Sequence, residues 1–165
     1  MKIQRILKHL LTTDGQVARA FPRSTLLAIE HSIKESETAH EGEIRFVVEG
    51  GLDGGPLLKG QSARERAIEL FAQLRVWDTE CNTGLLIYLL LADRAVEIVA
   101  DRGIHAKVGS QEWRNVCSQM EGAFKQSNFE AGVVGGLQAV TQHLVRHFPA
   151  RDRRENELPD MPVLL

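Results

Sequence analysis

The spacing of apolar positions changes several times along the chain, and each change marks an element. Ile3, Ile6, Leu7 and Leu10 share one face of a helix over Lys2 to Leu11, with Lys2, Arg5 and Lys8 toward the other. Such a helix either packs on the domain or rests as a basic interfacial helix on anionic lipid or a partner. Phe21-Pro22 interrupts the chain, and Leu26, Leu27, Ile29 and Ile33 then form the buried stripe of a helix from Arg23 to about Thr38. Ile44 to Val48 has the β-branched content of a short strand. The glycine-rich Gly50-Gly51-Leu52-Asp53-Gly54-Gly55-Pro56 after it reads as a loop at the strand's C-terminal end. No Lys-Ser/Thr opens a helix behind it, so it is not a phosphate-cradling P-loop. Ser62 to Val76 returns to helical spacing through Ala67, Leu70, Phe71 and Leu74, with Ser62 and Glu65 placed as a capping box.

Leu85 to Leu91 is an unbroken apolar run, the length of a strand buried on both faces. Ala92-Asp93-Arg94 interrupts it, and Ala95 to Ala100 resumes with Val96, Ile98 and Ala100 on one face, which predicts a hairpin. A strand, a helix and a second strand in succession predict a right-handed crossover with the two strands parallel. The hairpin strand then adds antiparallel and makes the sheet mixed. Two more helices follow, Ser110 to Gln126 and Phe129 to Phe148, and Gly132, Gly135 and Gly136 in the second imply close backbone packing against a neighbour. Pro149 ends that helix, and the charged, proline-bearing remainder reads as a mobile tail. The organisation expected is an N-terminal helix over 1–19, a domain over 20–148 and a flexible tail over 149–165.

At 165 residues the chain suits one domain, and 43% hydrophobic with 25% charged residues is ordinary globular composition. A net charge of −2 with 5% aromatic residues argues against nucleic-acid binding, which needs a basic face to neutralise phosphates. Cys81 and Cys117 are too few and too far apart for a disulfide framework or zinc knuckle, and read as free thiols in a reducing compartment. The N-terminus lacks the continuous apolar stretch of a secretory signal, and no window reaches the length of a membrane span, so a cytoplasmic location is expected.

Asn82-Thr83-Gly84-Leu85-Leu86-Ile87, Asp93-Arg94-Ala95-Val96-Glu97-Ile98 and Gly103-Ile104, in that order, resemble the signature of the TPM domain. In that family the pattern reads Asn-Gly-Val-Leu-Leu, Asp-Arg-Lys-Val-Arg-Ile and a Gly-Leu that opens a helix. Phe124 to Gly132 is similar to the family's stretch between its last two helices, so the resemblance covers about residues 20 to 148. It implies an α/β/α sandwich with a mixed central sheet and helices on both faces. The family includes a thylakoid acid phosphatase of plants and auxiliary proteins of animal receptors, and its bacterial members are often membrane-attached or exported. The resemblance thus implies either a binding or assembly-accessory module with a protein partner, membrane-associated in some members, or a phosphatase acting on phosphomonoesters. Calcium or magnesium is the cofactor it implies, at acidic loops. The family's Asp just before its first helix has no counterpart in Arg19-Ala20-Phe21-Pro22, which carries no carboxylate for a metal.

The predicted topology sorts the polar residues to two ends of the sheet. Asp53 of the glycine-rich loop and Asp93-Arg94 of the hairpin turn lie beyond the C-terminal ends of parallel strands, where ligands bind in open α/β sheets. Asp78, Asn82 and Asp101 meet at the other end and supply part of the oxygen set that calcium or magnesium requires. Turn and cap hydrogen bonds are the competing role for the same three. Arg94 and Arg102 are the candidate anion clamps. The nucleophile motifs of known phosphatases and hydrolases are missing, so phosphatase chemistry here would be metal-assisted.

Overall fold

The computed structural model describes residues 2–151 and 155–165. Four strands, β1 (Glu43–Glu49), β2 (Gly84–Leu90), β3 (Ala95–Ala100) and β4 (Val163–Leu164), lie in the order β3-β2-β1-β4. β1 is parallel to both β2 and β4, and β3 is antiparallel to β2. Ile44 stands opposite Leu85, and Ile87 opposite Ile98. The apolar run of β2 is therefore the sheet's centre, as its lack of alternation requires, and all seven of its residues are buried.

Eight helices are described: α1 (Lys2–Leu11), α2 (Asp14–Ala20), α3 (Arg23–Glu37), α4 (Gly54–Lys59), α5 (Ala63–Gln73), α6 (Arg102–Val108), α7 (Ser110–Lys125) and α8 (Phe129–His147). The pleat sends Ile44, Phe46, Val48, Leu85, Ile87 and Leu89 to one face, where they pack on α3, α7 and α8 through Ile29, Met120 and Val140 among others. Val47, Leu86, Tyr88 and Leu90 take the other face, against Leu57 of α4 and Ala67 and Leu70 of α5. The result is the α/β/α sandwich with a mixed sheet. Each fully buried aliphatic side chain contributes roughly 2 kcal/mol to it. The capping box forms at α5, where Ser62 Oγ accepts from the Glu65 N–H and Glu65 accepts from the Ser62 N–H.

The glycines of α8 divide by position. A Cβ on Gly136 would lie 2.3 Å from Met120 Sδ, and one on Gly132 would lie 2.7 Å from the Phe124 ring, so α7 seats against both. Gly135 faces open space and has no such role. Phe129 stacks on Phe124 with centroids 5.4 Å apart, which fixes the α7–α8 corner.

Both ends of the chain return to the sheet. Residues 149–165 were expected as a mobile tail; 152–154 lie outside the described residues, but the stretch from 155 docks. The Leu165 N–H donates to Val48 O at 2.9 Å, the Gly50 N–H donates to Leu165 O at 3.0 Å, and β4 extends the sheet. The reason lies in β1 itself, whose charged residues are buried and need partners. Arg45 donates to the carbonyls of Pro159 and Met161, and Glu43 accepts from the Leu158 N–H. At the N-terminus, α1 sits on the glycine-rich loop, where a Cβ on Gly51 would lie 3.0 Å from His9 O. Close approach of a helix backbone is what this glycine permits.

Candidate functional site

The turn end of the sheet is built by β1, β2 and the chain that follows each. The Leu91 and Ala92 N–H groups donate to Glu49 O and Gly50 O, each at 2.9 Å, so the hairpin turn is tied to the glycine-rich loop. Arg94 takes a left-handed conformation (φ 51) and closes the turn through its N–H to Leu91 O. Asp93 points back toward α1. Its Oδ2 accepts from Arg5 Nε at 2.9 Å, and Arg5 also donates to Gln61 O at 2.8 Å. His9 is buried, and its Nδ1 accepts from the Leu52 N–H at 2.8 Å, so a neutral ring carries its proton on Nε2. That atom stands 3.1 Å from Asp93 Oδ1, off the axis of a well-formed hydrogen bond. Asp93 is thus an anchor for α1.

Beside this anchor opens a groove of about 1220 Å³, bounded by α1, α2, the start of α3, the hairpin turn and the α7–α8 corner. Leu11, Ala20, Leu91 and Phe129 give it an apolar lining, and Lys8, Arg19 and Arg94 bring three cations to its wall. Its two carboxylates are engaged. Asp93 is held by Arg5, and Glu130 accepts from Thr25 Oγ1 at 2.6 Å. Lys8 and Arg19 make no ion pair with any described residue, and Arg94 makes one long contact, 3.4 Å, to Lys125 O. Arg5 neutralises Asp93, Glu130 keeps its charge beside a neutral hydroxyl, and the three cations leave the groove net positive. Asp53, also expected at this end, is exposed and precedes α4 without a side-chain capping bond.

At the opposite end, Asp101 and Gly84 exchange hydrogen bonds. The Gly84 N–H donates to Asp101 Oδ2 at 2.8 Å, and the Asp101 N–H donates to Gly84 O at 2.9 Å. Burial pushes the Asp101 carboxyl up, and the Gly84 bond partly offsets this. Asn82 adopts a left-handed conformation (φ 51), and its carbonyl oxygen would lie 3.9 Å from a Cβ at Gly103 in α6. Asn82 and Asp101 therefore meet at one end of the sheet, whereas the Asp78 side chain pairs at 3.0 Å with Arg75 on the surface. Among the described residues, no three His, Cys, Asp or Glu side chains gather as a metal set. Arg102 opens α6 at this end, and Arg94 lies at the other, so the two candidate clamps are separated by the length of β2.

Two buried polar clusters lie outside the residues singled out from sequence. Glu49 is held by Arg66 through Nε and Nη2, each at 2.9 Å, and accepts from the Tyr88 hydroxyl at 2.6 Å. Glu37 accepts from the Ile44 N–H at 2.7 Å and stands near Glu43 and Asp160, and burial pushes its carboxyl up to about 9. Their signal in the sequence was the charged residues at Glu43, Arg45 and Glu49 in a strand otherwise apolar, which must find partners once both faces are covered. His40, lowered to about 4 by burial, takes the Gly42 N–H on Nδ1 and donates from Nε2 to Ser36 Oγ. That direction of bonding holds Ser36 structurally and does not activate its hydroxyl as a nucleophile.

A family profile described as the TPM domain matches residues 16–143, which contain the sheet's three long strands and the helices α3 to α7. The chain belongs to the TPM domain family. Its fold is similar to the NMR structure of the BA42 protein from the psychrophilic bacterium Bizionia argentinensis, with a TM-score of 0.74 and 28% identity over 86% of this chain and 92% of that one. It is also similar to the N-terminal domain of a protein from P. gingivalis, with a TM-score of 0.57 and 21% identity over 74% and 76% of the two chains. No curated protein matches the chain by sequence. In this TPM domain, Arg19, Ala20 and Pro22 border the groove, and Arg19 contributes a cation to it. α1 precedes the matched region, so the wall carrying Lys8 lies outside the part of the chain that the family profile matches. No described helix is long and apolar enough to cross a membrane.

Proposed function

We propose that this TPM domain is a binding module that takes a small anionic ligand, a phosphate ester or polycarboxylate, in the turn-end groove. The observation that carries the reading is the charge imbalance there, with Lys8, Arg19 and Arg94 facing a groove whose carboxylates, Asp93 and Glu130, are already engaged. The position agrees with the general rule that open α/β sheets bind ligands beyond the carboxyl ends of their strands. An arginine offers paired N–H donors to a phosphate or carboxylate, and a lysine adds a point charge. Pyrophosphate titrated into the labelled protein is expected to shift the amides of Arg19, Arg94 and Asn128. Shifts confined to Asn82, Asp101 and Arg102, or none at millimolar ligand, would contradict the reading.

The second reading is a divalent-cation site, calcium or magnesium, at Asp101 and Asn82, with Asp78 reaching in if it leaves Arg75. Its support is Asp101, half-buried, with one oxygen held by the Gly84 N–H. A cation would offset that burial, with carbonyls and water completing its six to eight oxygens. Arg102 would then steady a phosphomonoester for metal-assisted hydrolysis. Melting temperature with and without millimolar calcium or magnesium, in wild type and Asp101→Asn, tests this site apart from the groove. A cation-dependent rise lost in the variant supports it.

A further inference from the structure

The N-terminal helix is folded with its greasy side outward. Ile3, Leu7, Leu10 and Leu11 are 74%, 52%, 65% and 68% exposed, while Arg5 is half-buried and His9 is 3% exposed. The orientation is held by hydrogen bonds. Arg5 donates to Asp93 and Gln61, and His9 accepts from the Leu52 N–H, so rolling the helix to bury its leucines would break all three. Leu58 of α4, 73% exposed, lies on the same small hollow as Ile6 and extends the apolar surface beside α1.

Ordinary surface helices turn their apolar stripe to the core, and an exposed stripe on this scale marks an interaction site. Its charge says what covers it. The chain carries net −2, yet α1 contains no acidic residue, and Lys8 at the rim of the stripe pairs with no described residue. Lys59, exposed, follows Leu58 in α4. An apolar stripe edged by lysines matches the acyl and headgroup layers of an anionic bilayer. A second copy of the chain would bring the same lysine-edged face against itself, setting like charges together, so the charge favours an anionic layer over a self-contact.

We propose that α1 docks the protein flat on an anionic lipid surface, with Ile3, Leu7 and Leu10 inserted among the lipids and Lys8 at the headgroups. The bonds from Arg5 and His9 to the domain transmit that attachment to the sheet's turn end. The full chain is spun with vesicles of phosphatidylcholine and phosphatidylglycerol in equal parts, and with vesicles of phosphatidylcholine alone. It is expected to sediment with the first and at least several-fold less with the second, since each surface lysine favours anionic lipid. Leu7→Ser with Leu10→Ser, both at exposed positions, is expected to keep the wild-type melting temperature and to weaken sedimentation roughly tenfold or more. Wild-type protein that stays in the supernatant, or a double variant that sediments equally, overturns the proposal. A wild-type dimer that the double variant converts to monomer also overturns it, in favour of a second copy on this face.

Discussion

Glu37→Gln isolates the most perturbed carboxyl among the described residues. Glu37 accepts from the Ile44 N–H and stands within reach of Asp160, and its burial raises it from 4.5 to about 9. The folded state therefore keeps its proton across a range where the unfolded chain has lost it. Stability from this group is complete below the unfolded value and falls as pH rises toward 9. His40 works in the opposite direction: lowered from 6.5 to about 4, it costs stability only as pH falls below 6.5. The range from pH 7 to 9 is thus free of His40, and since the other groups are common to both proteins, the difference between variant and wild type reports Glu37. Two pH units of linkage amount to nearly 3 kcal/mol at the limit, and the partial solvent access of Glu37 reduces this to about 1–2 kcal/mol. Glutamine keeps the oxygen for Ile44 and offers an N–H toward Asp160, so it imitates the protonated acid without titrating. Urea unfolding at pH 7, 8 and 9 is expected to give a variant more stable than wild type, with the gap widening by about 1–2 kcal/mol over the range. Parallel pH profiles, or a variant less stable at pH 7, would refute the assignment of a protonated Glu37.

The remaining predictions concern the two sheet ends and the thiols. A Cβ on Gly84 would fall 1.9 Å from the Val76 carbonyl oxygen, so Gly84→Ala is expected to cost about 2 kcal/mol or more, read by the same urea curves. Asp93→Ala removes the anchor for Arg5 and His9, and faster hydrogen exchange of the α1 amides, with β2 unaffected, is the expected result. Cys117 is pushed up to about 12 by burial, while Cys81 is exposed, so a thiol reagent at neutral pH is expected to label one equivalent quickly, at Cys81.

The sheet was legible because its signals are local and strong. Leu85 to Leu91 has no polar position to face water, and Asp93-Arg94 can only be a turn between two apolar runs, so the hairpin and the layers covering it follow. The long helices were legible from their stripes. The short elements were not. α4 starts at Gly54-Gly55-Pro56 and is seated on the core by Leu57 alone, and β4 is two residues recruited by the open edge of β1. The direction of α1 was also hidden, since a helical stripe gives no clue that a distant Asp93 will hold the polar side inward. The groove has the same origin. Lys8, Arg19, Arg94 and Asn128 are far apart in sequence, and only Arg94 was singled out, because what joins them is the packing of α1 and α2 against the turn.

Calorimetric binding of pyrophosphate to single variants decides whether the turn-end groove is an anion site. Lys8→Ala, Arg19→Ala and Arg94→Ala are each expected to weaken binding several-fold or more, since each removes a charge-assisted contact worth about 1 kcal/mol or more. Arg102→Ala, at the far end of the sheet, is expected to leave it unchanged. Affinity that survives the three groove substitutions, or collapses with Arg102→Ala, would contradict an anion site at the turn end.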